Sequence, residues 1–389
     1  MKQVTLKLTA LVMLLGAVVT TAEAQNSPST INVVTTAVPF LRISPDARAG
    51  GMGDAGIATA PDQNSNFWNI AKTPFSTNKA GVGVSYTPWL NDLGLNDVYL
   101  MSLAGYYKLD DMQALSASVR YFSLGNIQFT DALGNALNTF RPREFAVDLG
   151  YSRKLSKKFS LGIAVRYISS DLAGGTVGGV SYKKGTAVAG DLHLYHNGAK
   201  ENGQGFNWGL TLSNLGSKIA YTNDATQKDY IPANLGLGAA YTKVFDADNK
   251  LTLALDLNKL LVPTPPVQGA TQTDSAFTED IKDYRSKGVV SSWFSSFGDA
   301  PDGGSEELRE VSASIGAEYW YKSQFALRAG YFYEHQDKGN RKYFTLGAGL
   351  RYNVVGLNFS YLLPTGSGVN RNPLSNTLRF SLVFGLGGK

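Results

Sequence analysis

Residues 311–321 read VSASIGAEYWY, and apolar side chains occupy every second position of this stretch. The positions between them are mostly small or charged. The same alternation recurs in residues 159–167, 325–333 and 378–386. Because successive side chains of a β-strand point to opposite faces, the pattern predicts strands with one apolar face and one small or polar face.

The length of these segments points to a membrane. Strands of soluble proteins average about 5–6 residues, whereas tilted strands that cross a bilayer need about 9–11. Short turns and long loops alternate between the segments, as in outer-membrane barrels. We therefore predict an all-β fold, a transmembrane outer-membrane β-barrel of about 14 antiparallel strands. The alternative, a soluble β-protein, would not need strands of this length. The predicted strand centres are Val84, Leu103, Val119, Leu149, Ile163, Leu192, Leu210, Leu237, Leu253, Ile315, Leu327, Leu346, Phe359 and Leu382.

The first 24 residues have the features of a secretory signal peptide. Two lysines precede an apolar stretch at 8–19, and Ala22-Glu23-Ala24 forms a small-x-small cleavage site. The alternative is an uncleaved anchor, but the apolar stretch is shorter than the roughly 20 residues that a membrane-spanning helix needs. We predict a signal peptide over 1–24, an N-terminal segment with a lumen plug over 25–76, and a barrel over 77–389 that carries a long extracellular loop, 261–310.

The composition excludes several kinds of chemistry. The 389 residues include no Cys and 3 His, which rules out disulfides and thiolate metal sites and leaves little room for histidine catalysis. The 36 Lys and Arg against 31 Asp and Glu give a net charge of +5, too close to neutral for a dedicated nucleic-acid binder. Residues 51–56 match a dinucleotide-binding glycine pattern, but no predicted strand precedes them. We expect no catalytic residues, metal, cofactor or nucleic-acid partner.

Eight charged residues fall on the small or polar face of the predicted strands. Charges that faced lipid would cost several kcal/mol each near the midplane, so we expect these side chains to point into the lumen. A ladder of Arg–carboxylate pairs that stabilises the barrel is one interpretation, and a gated polar path or binding site is the other. The residues are Arg120, Asp148, Arg166, Asp256, Glu318, Arg328, Arg351 and Arg379.

The segment from Leu41 to Phe75 does not alternate, and we interpret it as a plug. Ser44-Pro45-Asp46 predicts a helix start, with Ser44 as the cap and Asp46 in the first turn. Fourteen strands would leave an open interior that a compact segment of small residues can fill. Glycines at lumen-facing strand positions, such as Gly316 and Gly330, indicate that other backbone approaches the wall closely. The predicted plug residues are Arg48, Gly51, Met52, Gly53 and Asp54.

The long loop 261–310 is the main candidate for contact with a partner. Structureless connections beyond about 15 residues are usually functional or disordered. We expect a helix near residues 279–286, followed by aromatic side chains set among serines. Exposed aromatic rings suit protein contact; the alternative is a loop folded over its own barrel mouth. The candidate partner-binding residues are Trp293, Phe294, Phe297 and Trp89.

Residues 40–56, FLRISPDARAGGMGDAG, resemble the N-terminal signature of FadL-like barrels, and most closely that of the PorV family of the type IX secretion system. The resemblance extends over the plug, the fourteen strands and the short carboxyl end. One departure is the stretch Asn69-Ile70-Ala71-Lys72, where the family often has Asn-Pro-Ala. This difference could alter the bend after the plug without changing the assignment.

The resemblance implies a non-catalytic adaptor in the outer membrane. Its implied partners are the giant outer-membrane translocon of the type IX system, the C-terminal signal domains of cargo proteins and a PorU-like sortase that attaches cargo to lipopolysaccharide at the membrane surface. The same plug signature also fits an alternative, a FadL-like channel for long-chain fatty acids or other hydrophobic compounds. A third possibility, a surface hydrolase, would require one essential lumen carboxylate.

Overall fold

A closed barrel of fourteen antiparallel strands forms the body of the protein in the computed structural model, which confirms the predicted fold class and strand number. The structure describes residues 32–90, 94–130, 133–177, 180–224, 227–269, 271–364 and 376–388. The predicted signal peptide, 1–24, lies outside these residues. The strands are β1 Ala80–Pro88, β2 Val98–Lys108, β3 Gln113–Leu124, β4 Arg143–Lys154, β5 Phe159–Asp171, β6 Gly185–Asn197, β7 Gly205–Gly216, β8 Asn234–Val244, β9 Asn249–Leu260, β10 Ser312–Tyr321, β11 Phe325–Tyr333, β12 Lys342–Tyr352, β13 Val355–Pro364 and β14 Leu378–Leu386.

Each strand pairs with the next one in the chain, and β14 pairs with β1 to close the barrel. The closing register places Ser85 opposite Ser381 and Tyr86 opposite Phe380. Closure leaves no free sheet edge, which a strand in hydrocarbon could not tolerate because its backbone groups would lack partners.

The two faces of the wall differ as the alternation predicts. On β10 and β11, Ile315 and Leu327 are 57% and 66% exposed, whereas Glu318 and Arg328 are buried. The exposed apolar side chains face outward, where lipid surrounds the barrel, and the charged ones face the interior. Within the described residues, no helix is long and apolar enough to cross a membrane.

Connections at one end of the barrel are short turns, and those at the other end are long. In bacterial barrels the short turns face the periplasm, which assigns the long loops to the extracellular side. Three of these loops contain small two-stranded sheets. Their strand pairs are Ile127–Thr130 with Ala136–Phe140, Gly175–Val177 with Val180–Tyr182, and Ile219–Ala220 with Lys228–Asp229.

The N-terminal segment runs through the barrel from the extracellular mouth to the periplasmic end. The Asn32 amide donates to the carbonyl of Asp337, in the loop after β11, and the Lys108 ammonium near the opposite end donates to the carbonyl of Ser76. This path leads directly into β1. The segment contains a 3₁₀ turn at Pro39–Arg42, helix α1 at Ala47–Gly50, helix α2 at Ser65–Trp68 and a second 3₁₀ stretch at Ile70–Phe75.

The start of α1 corrects the prediction that Ser44 is the cap. Asp46 has an extended backbone, and its carboxylate accepts a hydrogen bond from the amide of Ala49 at 2.9 Å, so Asp46 is the N-cap. An acid is favourable here because its oxygen satisfies an amide that has no partner within the helix.

The connection between β9 and β10 is largely helical. It contains α3 at Asp274–Ser286, α4 at Val289–Ser295 and α5 at Gly304–Arg309. We call residues 271–310 the extracellular cap. Its first helix includes the predicted residues 279–286 and begins earlier, where the Thr273 hydroxyl accepts a hydrogen bond from the amide of Ala276.

Candidate functional site

The tightest contact between plug and wall lies at two wall glycines. A Cβ at Gly330 would lie 2.1 Å from the backbone nitrogen of Gly53, and one at Gly316 would lie 2.4 Å from the carbonyl oxygen of Met52. Neither position has room for a side chain. The prediction that glycines mark a close approach of other backbone is therefore confirmed at these two positions.

The other plug glycines serve the same packing. Gly53 has a φ of 67°, a left-handed conformation that glycine adopts without strain, and its amide donates to the Thr345 hydroxyl at 2.8 Å. A Cβ at Gly51 would lie 3.0 Å from the Cα of Gly347. The stretch Gly51–Gly53 thus lies flat against the wall.

Arg48 fastens the plug to β10. Its guanidinium donates two bonds to Glu318, both at 2.9 Å, and a third, at 2.8 Å, to Asp62 of the plug. Arg328 of the neighbouring strand donates to the same Glu318 carboxylate at 2.8 Å. Glu318 is buried, so the two guanidiniums compensate for the hydration that its charge has lost.

Asp54 and Asp256 hold the plug at two further points. Asp54 accepts hydrogen bonds from the Tyr343 hydroxyl at 2.6 Å and from Arg379 at 3.0 Å. One oxygen of Asp256 accepts the amides of Gly56 and Ile57 at 2.7 and 2.8 Å. A carboxylate that binds backbone amides fixes the path of the chain without requiring a particular side chain there.

A second charged cluster lies nearer the extracellular mouth. Arg120 donates to the carbonyl of Leu41 at 3.1 Å and to Asp148 at 3.4 Å. Arg166 binds the same Asp148 and also Asp191, the latter at 2.8 Å. The cluster ties four neighbouring strands, β3 to β6, to one another and to the N-terminal segment.

Arg351 does not join either cluster. It is exposed at the periplasmic end of β12, with its guanidinium 4.7 Å from the centre of the Trp320 ring. Arg351 shares the lumen-facing side of β12 with Tyr343 and Thr345, and among the described residues it forms no ion pair with a carboxylate, so it lies outside the Arg–carboxylate ladder.

Several residues in these clusters were absent from the prediction. Asp191 lies on the same face of β6 as the buried residues Ala189 and His193. The alternation of this strand could therefore have identified Asp191 as a lumen charge. Asp62 lies in the non-periodic segment, where sequence offers no signal for its contact with Arg48. The same holds for Lys72, whose buried ammonium donates to the Gly56 carbonyl at 2.6 Å.

One cavity beside the plug, near the extracellular half of the lumen, has a volume of about 100 Å³. Its lining is mixed. Charged and amide groups contribute one part, and apolar and aromatic side chains contribute the other. The polar residues include Arg42, Arg120, Arg166, Arg341, Asn214 and Asn258, and the apolar ones include Leu41, Ile57, Phe67, Trp68 and Phe332.

The extracellular cap is fastened to the barrel by ion pairs. Lys259, near the end of β9, binds Glu307 and Glu310 at 2.8 and 2.6 Å. Lys338, in the loop after β11, binds Glu306 and Glu310 at 2.5 and 3.0 Å. All five side chains are largely buried, so the cap is held to the barrel mouth at the end of α5.

The predicted partner-binding aromatics differ in exposure. Phe294 and Phe297 are 74% and 52% exposed on the cap, and Trp293 is half-buried there. Trp89 is corrected as an exposed anchor: it is 8% exposed, and its ring packs edge-on against Phe122, with centroids 6.4 Å apart. The N-terminal segment fills the barrel mouth and provides apolar surface that draws Trp89 inward.

The described residues contain no group of three or more His, Asp or Glu side chains arranged to hold a metal ion. Within each charged cluster the side chains pair with one another and with backbone groups, and the clusters connect the plug, wall and cap. The plug therefore occupies the lumen, and the cap is exposed on the extracellular side.

The family assignment follows from the sequence of the plug and the first part of the barrel. Residues 25–267, more than half of the chain, match the family described as Type IX secretion system protein PorV. The chain belongs to the PorV family. This PorV-family chain is therefore an integral outer-membrane barrel and a component of the type IX secretion system. A comparison with curated proteins gave no match.

Solved structures similar to the PorV-family chain are FadL-like barrels. The toluene transporter TbuX of Ralstonia pickettii has a TM-score of 0.50 at 13% identity, covering 89% of this chain and 98% of its own. The monoaromatic hydrocarbon channel CymD has a TM-score of 0.50 at 12% identity, covering 88% and 98%. A FadL homologue of Pseudomonas aeruginosa has a TM-score of 0.47 at 12% identity, covering 92% and 100%. At these identities the similarity concerns the fold.

Proposed function

We propose that this chain is a non-catalytic adaptor of the type IX system. It binds the outer-membrane translocon, receives cargo by its C-terminal signal domain and passes it to a PorU-like sortase for attachment to lipopolysaccharide. The observation that carries the proposal is the contrast between a lumen filled by the plug and a fastened extracellular cap with exposed aromatic rings. A filled lumen offers no route for cargo, whereas exposed rings on a held scaffold are suited to protein contact.

The cap residues provide the test. We expect the double substitution Phe294→Ser/Phe297→Ser to abolish co-purification of cargo or translocon from native outer membranes. The matched control is Phe245→Ser, which replaces a ring that is 58% exposed at a periplasmic turn. Heat-modifiable migration on gels should be the same for all three proteins. Unchanged co-purification in the double variant would contradict the proposed contact.

The second candidate is a channel for long-chain fatty acids or other hydrophobic compounds. The FadL-like architecture with a segment inside the lumen favours it. The cavity beside the plug is only about 100 Å³ in volume and four arginines contribute to its lining, which is unfavourable for a long apolar solute, and for this reason we rank the channel second.

Uptake distinguishes the two candidates. Vesicles that contain the purified protein should take up a long-chain fatty acid no faster than vesicles without it. Protein-dependent uptake, lost when the fatty acid is replaced by a short-chain one, would favour the channel over the adaptor.

A further inference from the structure

A basic groove lies on the extracellular side, where the loop after β7 meets the end of α3. It has a volume of about 580 Å³. Five basic side chains and a single acidic one line it. The basic residues are Lys218, Lys228, Lys282, Arg285 and Lys287, and the acidic residue is Asp283.

Lys218 and Tyr230 hold the groove in shape. The Lys218 ammonium donates to the carbonyls of Arg285 and Lys287 at 2.6 and 2.7 Å, and it lies 4.0 Å from the centre of the Tyr230 ring. The Tyr230 hydroxyl donates to the carbonyls of Tyr284 and Lys287 at 3.1 and 3.0 Å. Burial lowers the pKa of Lys218, and the nearby Lys228 adds to this shift. These bonds join the end of α3 to the loop after β7, so the groove exists before any ligand binds.

The remaining cations of the groove are available. Lys228 and Lys287 are exposed, and among the described residues neither forms an ion pair. Lys282 pairs with Glu279 at 3.0 Å, but both side chains are more than 60% exposed, so the pair contributes little. Arg285 lies 3.6 Å from Asp229. The groove therefore keeps a positive charge that the protein does not neutralise.

The groove opens at the level where the lipid-facing wall ends. Ser217, part of its lining, donates its amide to the carbonyl of Val188 at 3.0 Å, and Val188 is 61% exposed on the outward face of β6. Close by in the chain, the exposed Lys184 places its ammonium 5.4 Å from the centre of the Phe145 ring, on the outward face of β4. Basic groups thus border the extracellular ends of β4 to β7, where the lipid-exposed wall ends.

We propose that this basic groove binds the phosphate groups of lipopolysaccharide in the outer leaflet. Ammonium and guanidinium groups form strong charge-assisted hydrogen bonds with phosphate. Basic clusters next to a membrane wall bind anionic headgroups because attraction and proximity act together. The lipid would hold the barrel at a defined place in the leaflet. This inference concerns the membrane environment of the barrel and stands apart from its role as an adaptor.

Native mass spectrometry of the full-length protein in detergent tests the proposal. The two probes are diphosphorylated lipid A and the same lipid with both phosphates removed. We expect the wild-type protein to bind the phosphorylated form about tenfold more tightly, and Lys228→Gln/Lys287→Gln to lose most of this difference. Lys218 stays unchanged, since it supports the groove. The matched control is Lys157→Gln/Lys158→Gln, two exposed lysines at a periplasmic turn, which should bind as the wild type does.

Two results would overturn the proposal. One is equal binding of both lipids by the wild-type protein. The other is an unchanged preference in the Lys228→Gln/Lys287→Gln variant, with its heat-modifiable barrel intact. If that variant also loses a co-purifying acidic protein, the groove belongs to a protein partner.

Discussion

Glu318 is a residue whose surroundings decide whether it stabilises or destabilises the barrel. It lies on β10 between Arg48 of the plug and Arg328 of β11. A buried carboxylate is costly by itself, but two guanidiniums with direct hydrogen bonds compensate for the lost hydration. One side chain thus joins the plug to the wall and two strands to each other.

Glu318→Gln should therefore lower the stability of the barrel strongly. It leaves the buried Arg328 guanidinium without a negative partner and Arg48 with Asp62 alone, which costs about 3–5 kcal/mol. Urea unfolding of the protein in detergent micelles measures the loss as a lower midpoint. The control is Asp111→Asn, since the Asp111 side chain is 98% exposed at a periplasmic turn and pairs only weakly with Lys108. Equal midpoints for the two variants would show that the Glu318 ion pairs do not stabilise the barrel.

Gly330→Ala should prevent the plug from packing against β11 at Gly53. The added methyl group would meet the backbone of Gly53, and backbone cannot rotate away as a flexible side chain can. We expect a smaller fraction of protein to migrate as a compact barrel on unheated gels. Gly304→Ala is the control, because a Cβ there meets nothing within 4 Å. A compact fraction equal to that of the control would contradict the proposed close approach.

The extracellular cap is attached at two points. Helix α3 has no buried residue, but at its end Lys218 and Tyr230 bind backbone carbonyls, and the Tyr284 ring packs against Tyr230. The buried pairs of Lys259 and Lys338 with the acids of α5 supply the second attachment. The attachment at α5 can therefore be tested on its own.

Lys259→Gln/Lys338→Gln should release α5 from the barrel mouth. The substitutions leave three glutamates near the barrel mouth without their cations, which favours a detached cap. Limited proteolysis in detergent should then cut within 271–310 about tenfold faster, while the barrel strands stay protected. Lys282→Gln is the control, because it breaks an exposed pair worth at most about 1 kcal/mol. Equal cutting rates in the two variants would rule out these ion pairs as the attachment.

On the scale of the entire chain, the unexpected feature is the direction of the N-terminal segment. Asn32 and Ala37 bond to carbonyls of Asp337 and Tyr230 in extracellular loops, so the segment enters the lumen from outside. Apolar residues around Phe40 then fill the mouth together with the inward-turned Trp89. The chain crosses the membrane once inside the barrel before the first strand begins.

Cysteine labelling tests this path, and the natural sequence has no Cys that would interfere. A membrane-impermeant maleimide added to intact cells should label Thr35→Cys, since Thr35 is exposed at the extracellular mouth. The control Lys157→Cys, at a periplasmic turn, should react only after the outer membrane is permeabilised. Labelling of Thr35→Cys that also requires permeabilisation would reverse the proposed direction.

The sequence was most informative about the strands, where the alternation of side chains shows which residues face lipid and which face the interior. Alternation along β10 places Ile315 in lipid and Glu318 in the interior, and strands of this length imply a membrane. The plug helix was found through its cap residues, although the cap itself is Asp46 rather than Ser44. The bounds of α3 were predicted only in part: the helix begins at Asp274, and Phe277, Ile281 and Tyr284 follow a helical period over this longer stretch.

The alternation of strand faces, the strand length and the plug signature can be read from the sequence, because each depends on residues close together in the chain. The contact partners depend on the folded barrel: Arg48 meets Glu318 across 270 positions, and Trp89 turns inward because the N-terminal segment occupies the mouth. In the same way, Lys218 in one loop holds the end of α3 in another. Contacts of this kind arise when the barrel closes and brings distant segments to the same height, and no local pattern encodes that arrangement.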